Sequence, residues 1–175
     1  MKTRSILVII AGAVVLAFLF KILLLDVMRV QGGSMEPTLL PGQVLFVDRW
    51  AFGLQVPFIN DYLVRWSRPK RNDLVVFLNP ADGILVVKRC VGLQGDPIKV
   101  ENNTLKIGNL SIPVTEKEAK RFENYREVPH GTIFVLGDNV RVSEDSRIYG
   151  FIPVGRLLGR VMFELPGDAV RPLAK

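Results

Sequence analysis

An apolar segment at residues 6–25 is the feature that most restricts how this chain can fold. Lys21 is its only charged residue, and about 20 helical residues match the hydrocarbon thickness of a bilayer. A lysine near the end of a span can extend its amine to the interface. A cleavable targeting leader fits less well, because the segment is long and residues 24–28 offer no small-x-small cleavage pattern. The sequence therefore predicts an uncleaved transmembrane anchor.

The charges around this anchor predict its orientation. Lys2 and Arg4 precede it, which favours a cytoplasmic N-terminus at residues 1–5, and Arg29 beyond it weakens that bias slightly. We therefore expect a single-pass protein of the plasma (inner) membrane, with residues 26–175 on the extracytoplasmic side. The net charge of +6 suits an anionic lipid surface or a nucleic acid. The predicted side of the membrane excludes nucleic acid, so the expected partner is the lipid bilayer.

The part of the chain that follows the anchor has the pattern of a β protein. Short runs of β-branched and aromatic residues are bounded by Gly, Pro, Asn or Asp, and no βαβ alternation occurs. We predict one mostly β domain of the usual size, with a hairpin turn at Asn102 and Asn103 and one helix at residues 115–126. The predicted strands include residues 44–47, 74–78, 84–87 and 133–136.

Cysteine and histidine each occur once, as Cys90 and His130. An intrachain disulfide is impossible, and the common Cys/His metal sites are excluded. We expect neither a metal nor a cofactor. Residues 50–59 are apolar, and a run of basic residues follows at 65–71. This pairing suits a membrane interface or an apolar loop packed on its own sheet, and the sequence does not choose between them.

The stretch VQGGSMEPTL places Ser34 on stiff, bare backbone. Gly32 and Gly33 permit positive φ and close approach by another chain, and Pro37 restricts the residue before it. A nucleophilic serine needs this setting. An ordinary tight turn has the same composition, so the stretch alone leaves both interpretations open.

A serine nucleophile needs a base, and the sequence offers two candidates. His130 stands in Pro-His-Gly, which is typical of a turn. Lys88 ends an apolar run, and strand alternation puts it on one face with Val86 and Cys90. A lysine base works best with a pKa of roughly 7–8, which requires burial away from a close carboxylate. Lys88 lies in such an apolar strand. The same sequence is also compatible with an exposed lysine at the end of the strand. Cys90 has the character of a small buried residue.

A third feature is the segment GDNVRVSEDSR at residues 137–147. Gly-Asp-Asn is a common turn, but the following residues are unusually rich in hydroxyls and charges for a loop between apolar strands. Asp145 and Arg147 could pair and fix the loop. Ser143 would then be free to hydrogen-bond a lysine amine.

Together these segments resemble the type I signal peptidases, membrane-anchored Ser-Lys proteases that remove signal peptides from secreted precursors. The resemblance runs from the anchor nearly to the C-terminus and implies a coiled, antiparallel β-sheet catalytic domain. It implies Ser34 as nucleophile, Lys88 as general base, Ser143 as the residue that orients the lysine, and Asp145 with Arg147 as loop support. Residues 98–130 would be a reduced form of the family's variable subdomain. The motifs that carry the resemblance are GSMEPTL at 33–39, RNDLVVF at 71–77, VKRCVGLQGD at 87–96, and GDN at 137–139 with S143, DSR at 145–147 and GFIP at 150–153.

The resemblance also implies where the substrate lies. An extended signal peptide would add a strand between residues 28–31 and residues 85–87, Val86 included. Branched side chains would leave room for little more than a methyl group in two pockets, which predicts cleavage after Ala-x-Ala. The residue before the cut would meet Val30, Leu39 and Val87, and the residue two positions earlier would meet Met28, Leu45 and Val75.

Three residues depart from the family's more usual pattern. Gly32 stands where some members carry a serine hydroxyl, so the second oxyanion donor beside the Ser34 amide is not identified. Cys90 replaces a small apolar residue. Glu36 brings a carboxylate near the nucleophile, and we expect it to point away from Lys88.

Two other functions are compatible with parts of the sequence. One is a self-cleaving Ser-Lys relative like the LexA-type repressors, which would carry a soluble DNA-binding N-terminus in place of the anchor. The other is a catalytically silent, membrane-tethered interaction protein. Loss of Ser34 or Lys88 would favour that second alternative, and both residues are present.

Overall fold

A computed structural model describes residues 9–10, 12–13, 25–55 and 61–165. Most of the predicted anchor at residues 6–25 lies outside these ranges. Within them, no helix has the length and apolar character needed to cross a bilayer.

The described chain is mostly β, as predicted. Its twelve strands are β1 Leu25–Arg29, β2 Val44–Asp48, β3 Gly53–Gln55, β4 Tyr62–Arg65, β5 Leu74–Leu78, β6 Leu85–Leu93, β7 Ile98–Glu101, β8 Thr104–Ile107, β9 Leu110–Pro113, β10 Thr132–Leu136, β11 Ile152–Pro153 and β12 Leu157–Leu165. Residues 25–165 also contain two short helices, α1 Glu116–Phe122 and α2 Ser146–Tyr149, and one 3₁₀ turn, Val154–Arg156, and the described residues 9–10 and 12–13 are helical.

The main sheet has seven strands in the order β1-β2-β12-β5-β6-β10-β11, and every pairing in it is antiparallel. β3 and β4 form a separate hairpin, and β7, β8 and β9 form a three-stranded sheet. That small sheet and α1 occupy most of residues 98–130, the range predicted to be a reduced variable subdomain.

The predicted hairpin and helix are both present. Asn102 and Asn103 join β7 to β8 with φ of 47° and 58°, values that suit a two-residue turn. Helix α1 begins after Thr115, which forms a capping box with Glu118. The helix ends at Phe122, earlier than predicted. It ends there because the following chain pairs back on the small sheet, where the Ile98 N–H donates to the Arg126 carbonyl at 2.8 Å.

Strand β6 positions the site because it has different neighbours along its length. Residues 85–89 pair with β5, and residues 89–93 pair with β10 on the other side. Among the described strands, β6 therefore keeps an open edge at residues 85–88. Buried side chains of β2, β5 and β6 join those of the turn after β1 in one core cluster, which comprises Met35, Leu39, Leu45, Val47, Val76 and Val87.

We predict that Gly159→Ala destabilises the fold, because β12 and β2 are in close contact there. A Cβ at Gly159 would lie 2.5 Å from the Asp48 carbonyl oxygen and 2.7 Å from Val47 Cγ1. The free energy of unfolding should fall by about 1–3 kcal/mol, measured by chemical denaturation. Met162→Ala, an exposed position on the same strand, is the matched control and should change it by less than about 0.5 kcal/mol. Equal effects of the two substitutions would contradict the packing described here.

Candidate active site

Ser34 lies in a turn that follows β1 and is fixed at both ends. The Val30 N–H donates to the Gln43 carbonyl at 2.9 Å, and the Leu39 N–H donates to the Met35 carbonyl at 2.9 Å. Met35 and Leu39 are buried and anchor the turn in the core. Gly32 has a φ of +79°, a left-handed conformation that glycine adopts at little cost. The turn therefore holds the Ser34 backbone in one place.

Lys88 reaches this serine from β6. Its Nζ lies 2.8 Å from Ser34 Oγ, within hydrogen-bond distance, and the residue is only 3% exposed. Val86 and Cys90, two residues to either side, pack in a core cluster with Val75 of β5. The structure thus brings together the two residues that the sequence identified as nucleophile and base.

Burial sets the charge state of the lysine. Loss of hydration is the main cause that lowers the pKa of Lys88 below its usual value, because an apolar setting disfavours the ammonium. The charges of Asp145 and Glu144 act in the opposite direction, and the charge of Arg147 lowers the pKa further. Arg147 thus offsets part of the carboxylate effect.

The predicted ion pair between Asp145 and Arg147 is formed and is buried. Arg147 Nε donates to Asp145 Oδ1 at 2.9 Å, and Arg147 Nη2 donates to Oδ2 at 2.9 Å. The same carboxylate accepts the Gly137 N–H at 3.1 Å. Asp145 therefore ties the loop to the end of β10, and these hydrogen bonds hold its carboxylate away from direct contact with Lys88.

The loop also contacts the nucleophile turn. The Asn139 N–H donates to the Ser34 carbonyl at 3.0 Å. A Cβ at Gly137 would lie 2.1 Å from Ser143 Oγ and 2.5 Å from the Ser34 carbonyl oxygen, so only glycine fits between them. Ser143 Oγ is buried and forms no hydrogen bond with the described residues, so the predicted bond to Lys88 is not present. The hydroxyl instead lies against Gly137.

A charged cluster beside the dyad was not predicted. Arg89 Nε donates to Asp138 Oδ1 at 2.8 Å, and Arg89 Nη2 donates to Asp138 Oδ2 at 2.6 Å and to Thr38 Oγ1 at 3.2 Å. One guanidinium therefore connects the lysine strand, the loop after β10 and the nucleophile turn. Arg89 follows Lys88 directly, and Asp138 lies in the Gly-Asp-Asn turn. No local sequence pattern indicated that these two residues, Arg89 and Asp138, form an ion pair.

A cleft of about 340 Å³ opens at Ser34, between the end of β1 and the open edge of β6. Five of the predicted substrate residues line it, together with two that the sequence analysis missed, Met35 and Ile84. The five are Met28, Val30, Leu39, Val86 and Val87.

Two predicted pocket residues, Leu45 and Val75, are absent from the lining of this cleft. Both are completely buried, Leu45 under the nucleophile turn and Val75 in the cluster around Cys90. They pack the sheet on which the cleft is built. The family resemblance assigned them to a substrate pocket, and position in a motif does not show which space a buried side chain fills.

The other reactive side chains do not compete for the dyad's role. His130 is exposed in a turn, as predicted. Cys90 is completely buried, and burial raises the pKa of its thiol to about 12. The Glu36 carboxylate folds over Gly33. Within the described ranges, no group of His, Cys, Asp and Glu is arranged to hold a metal ion.

Comparisons with known proteins show which family the chain belongs to. The family model "Signal peptidase, peptidase S26" matches residues 3–165. The signal peptidase I of Bacillus licheniformis is 33% identical, over 86% of this chain and 82% of that protein. The signal peptidase I of Buchnera aphidicola subsp. Schizaphis graminum is 30% identical over 78% of this chain, which spans 45% of that relative. A solved signal peptidase I from Enterococcus faecalis V583 is 34% identical, covers 54% of this chain and 97% of its own, and has a TM-score of 0.40. Because the family match covers nearly the whole chain, this protein belongs to the signal peptidase family, peptidase S26.

Proposed function

We propose that this protein is a membrane-anchored serine endopeptidase that removes signal peptides from secreted precursors, with Ser34 as nucleophile and Lys88 as general base. The observation that carries the proposal is the 2.8 Å contact between Lys88 Nζ and Ser34 Oγ, made by a lysine with almost no solvent exposure. Family membership supports the same reaction class. A catalytically silent tether is not favoured, because such a protein has no need for a buried lysine against a serine.

In the first half of the proposed reaction, the neutral Lys88 amine takes the proton of Ser34 Oγ as that oxygen attacks the carbonyl carbon before the cut. The resulting ammonium then donates this proton to the departing amine, which becomes the new N-terminus of the mature protein. The signal peptide remains as an ester on Ser34. The Ser34 amide, by the family resemblance, is one donor to the oxyanion.

In the second half, Lys88 takes a proton from water, which attacks the ester and releases the signal peptide. The lysine returns the proton to Ser34 Oγ, so the enzyme ends as it began. We propose that Asp145 and Arg147 support this cycle by holding the loop in place. We propose that Ser143 helps to position Lys88 by packing between the loop and the nucleophile turn, since its hydroxyl forms no hydrogen bond with the described residues.

We also propose the predicted topology: residues 1–5 in the cytoplasm, residues 6–25 across the plasma membrane and residues 26–175 outside. The basic residues Lys2 and Arg4 before the apolar segment support this orientation. Strand β1 begins at Leu25, where the apolar segment ends, and the chain reaches Ser34 directly after β1. The nucleophile would then stay close to the point where a precursor's own apolar segment leaves the bilayer.

The cleft supports a preference for small residues before the cut. Its lining beside Ser34 consists mostly of apolar side chains, which suit an apolar residue before the cut. Val30, Leu39 and Val87 are branched residues that narrow it near Ser34. Larger side chains are excluded by overlap and not by charge, and the middle residue of Ala-x-Ala points to solvent because strand side chains alternate.

We predict that Ser34→Ala and Lys88→Ala each abolish cleavage of a precursor, and that the double variant is no worse than either. Lys88→Arg should fail as well, because a guanidinium stays protonated. The measurement is cleavage of a purified precursor by the full chain in detergent, with circular dichroism to show that the β domain is retained. His130→Ala is the control and should match the parent. Activity in Lys88→Ala with loss in His130→Ala would transfer the base role to histidine.

The lowered pKa of Lys88 predicts the pH dependence of activity. The amine is a base only when neutral, so kcat/KM should rise with pH through the free-enzyme pKa of Lys88, well below 10.5. Initial rates at low substrate concentration across a pH series measure this limb. If kcat/KM instead rises only around pH 10, the pKa of Lys88 is that of an ordinary lysine. Burial would then not lower it.

We predict that Val87→Ala widens the substrate preference, because Val87 borders the cleft next to Lys88. A precursor with valine in place of alanine before the cut should be a poor substrate for the parent and improve by about tenfold or more with the variant. Val76→Ala, a buried neighbour outside the cleft lining, is the matched control and should not show this gain. If the parent cleaves alanine and valine precursors equally, the pocket is wrongly assigned, while the roles of Ser34 and Lys88 are unaffected.

A further inference from the structure

Three apolar side chains of the loop between β10 and the end of α2 are exposed: Val142 at 62%, and two others that share one groove. Val140 and Ile148 are each 43% exposed, although this loop is otherwise fixed by the buried Asp145–Arg147 pair. Neither side chain is needed to hold the loop, since the ion pair and its hydrogen bonds do so. Exposed apolar side chains beside a reactive site are typical of a binding surface.

These two residues line an open groove of about 510 Å³. Its opposite wall is the connection between β9 and α1, which contributes Val114 and Thr115. Arg141 lies on the rim and is exposed. The groove therefore combines apolar side chains with charges of both signs, since Glu118 and Arg147 line it together with Arg141, and it lies between the small sheet and the catalytic loop.

Ser143 connects this groove to the dyad. It lines the groove, while its hydroxyl lies against Gly137 close to the Ser34 carbonyl. The groove thus begins one residue away from the nucleophile turn. The cleft proposed for the signal peptide is formed by other segments, at residues 28–39 and 84–87. A peptide bound across Ser34 with one part in that cleft has its other part outside the cleft, and the groove beside Ser143 is a surface on which that part can lie.

We propose that the groove binds the first residues of the mature protein, those that follow the cut. This inference rests on the proposed function and extends it from the signal peptide to the other side of the scissile bond. Its apolar side chains, Val114, Val140 and Ile148, suit a small or apolar residue near the start of the mature chain. Contacts there would help to hold the scissile bond over Ser34.

Two substrates with the same Ala-x-Ala segment test this proposal. One continues for five residues after the cut, and the other ends in a fluorogenic aminocoumarin amide and has no residues for the groove. The ratio of kcat/KM for the longer peptide to kcat/KM for the amide measures how much the residues after the cut contribute to binding. Val140→Asp and Ile148→Asp should each lower the ratio, peptide over amide, by about fivefold to tenfold, because each puts a desolvated carboxylate in the groove. The full chain in detergent is used throughout.

Val64→Asp is the matched control, since Val64 is 55% exposed on β4 and outside the groove; it should leave the ratio unchanged. An unchanged ratio in both loop variants would overturn the proposal, and so would an equal loss on both substrates, which would indicate damage to the dyad. A loss seen only with precursors embedded in vesicles would assign the groove to lipid. A parent that cleaves neither substrate contradicts the proposed function itself.

Discussion

The removal of one lysine amine from water is the constraint on which this site depends. Lys88 is carried into the interior by a strand whose neighbours on both faces are apolar, and its nearest polar contact is the Ser34 hydroxyl. The ammonium form would lose its hydration there without gaining a carboxylate partner at hydrogen-bond distance. The interior therefore favours the neutral amine, which is the form that can accept a proton.

This arrangement costs stability. The folded pKa of Lys88 is below the unfolded value, so the unfolded chain binds more protons than the folded chain between those two pH values. Stability contributed by this group consequently rises with pH across that window. The penalty is largest below the folded pKa and disappears above the unfolded pKa of about 10.4. A site that uses a buried lysine has to be supported by the rest of the fold.

That support comes from two ion pairs that hold three chain segments around the lysine. Asp145 and Arg147 close the loop on itself and fasten it to Gly137 at the end of β10. Arg89 and Asp138 fasten the same loop to the lysine strand, and Thr38 links the pair to the nucleophile turn. Asp145, the carboxylate that raises the pKa of Lys88 most, is thus matched by Arg147, whose charge lowers that pKa. This pairing limits how far Asp145 raises the pKa of Lys88.

The sequence predicted the parts of this site whose signals are local. The β class followed from runs such as residues 74–78, and the dyad followed from a serine on glycine-rich backbone and a lysine in an apolar strand. Ser34 and Lys88 are 54 residues apart in the chain. Only the family resemblance predicted that they would be in contact. The Arg89–Asp138 pair, 49 residues apart, has no local signal and was missed.

Other features could not be predicted for related reasons. The position of β12 between β2 and β5 depends on pairing across most of the chain, which short-range patterns do not contain. Burial of Leu45 and Val75 could be expected from alternation, but their place below the cleft depends on how the sheet curves. The Ser143 hydroxyl was expected at the lysine, and the close packing of Gly137 accounts for where it lies instead.

The most direct test of the account is a titration of Lys88 itself. The amine can be followed by NMR in the full chain with labelled lysine, and the Lys88 signal can be assigned by comparison with Lys88→Met. If burial supplies the neutral base, the Lys88 amine titrates below the usual lysine value of 10.5. A Lys88 amine that titrates at or above that value would contradict the mechanism, because burial would then not supply the neutral base.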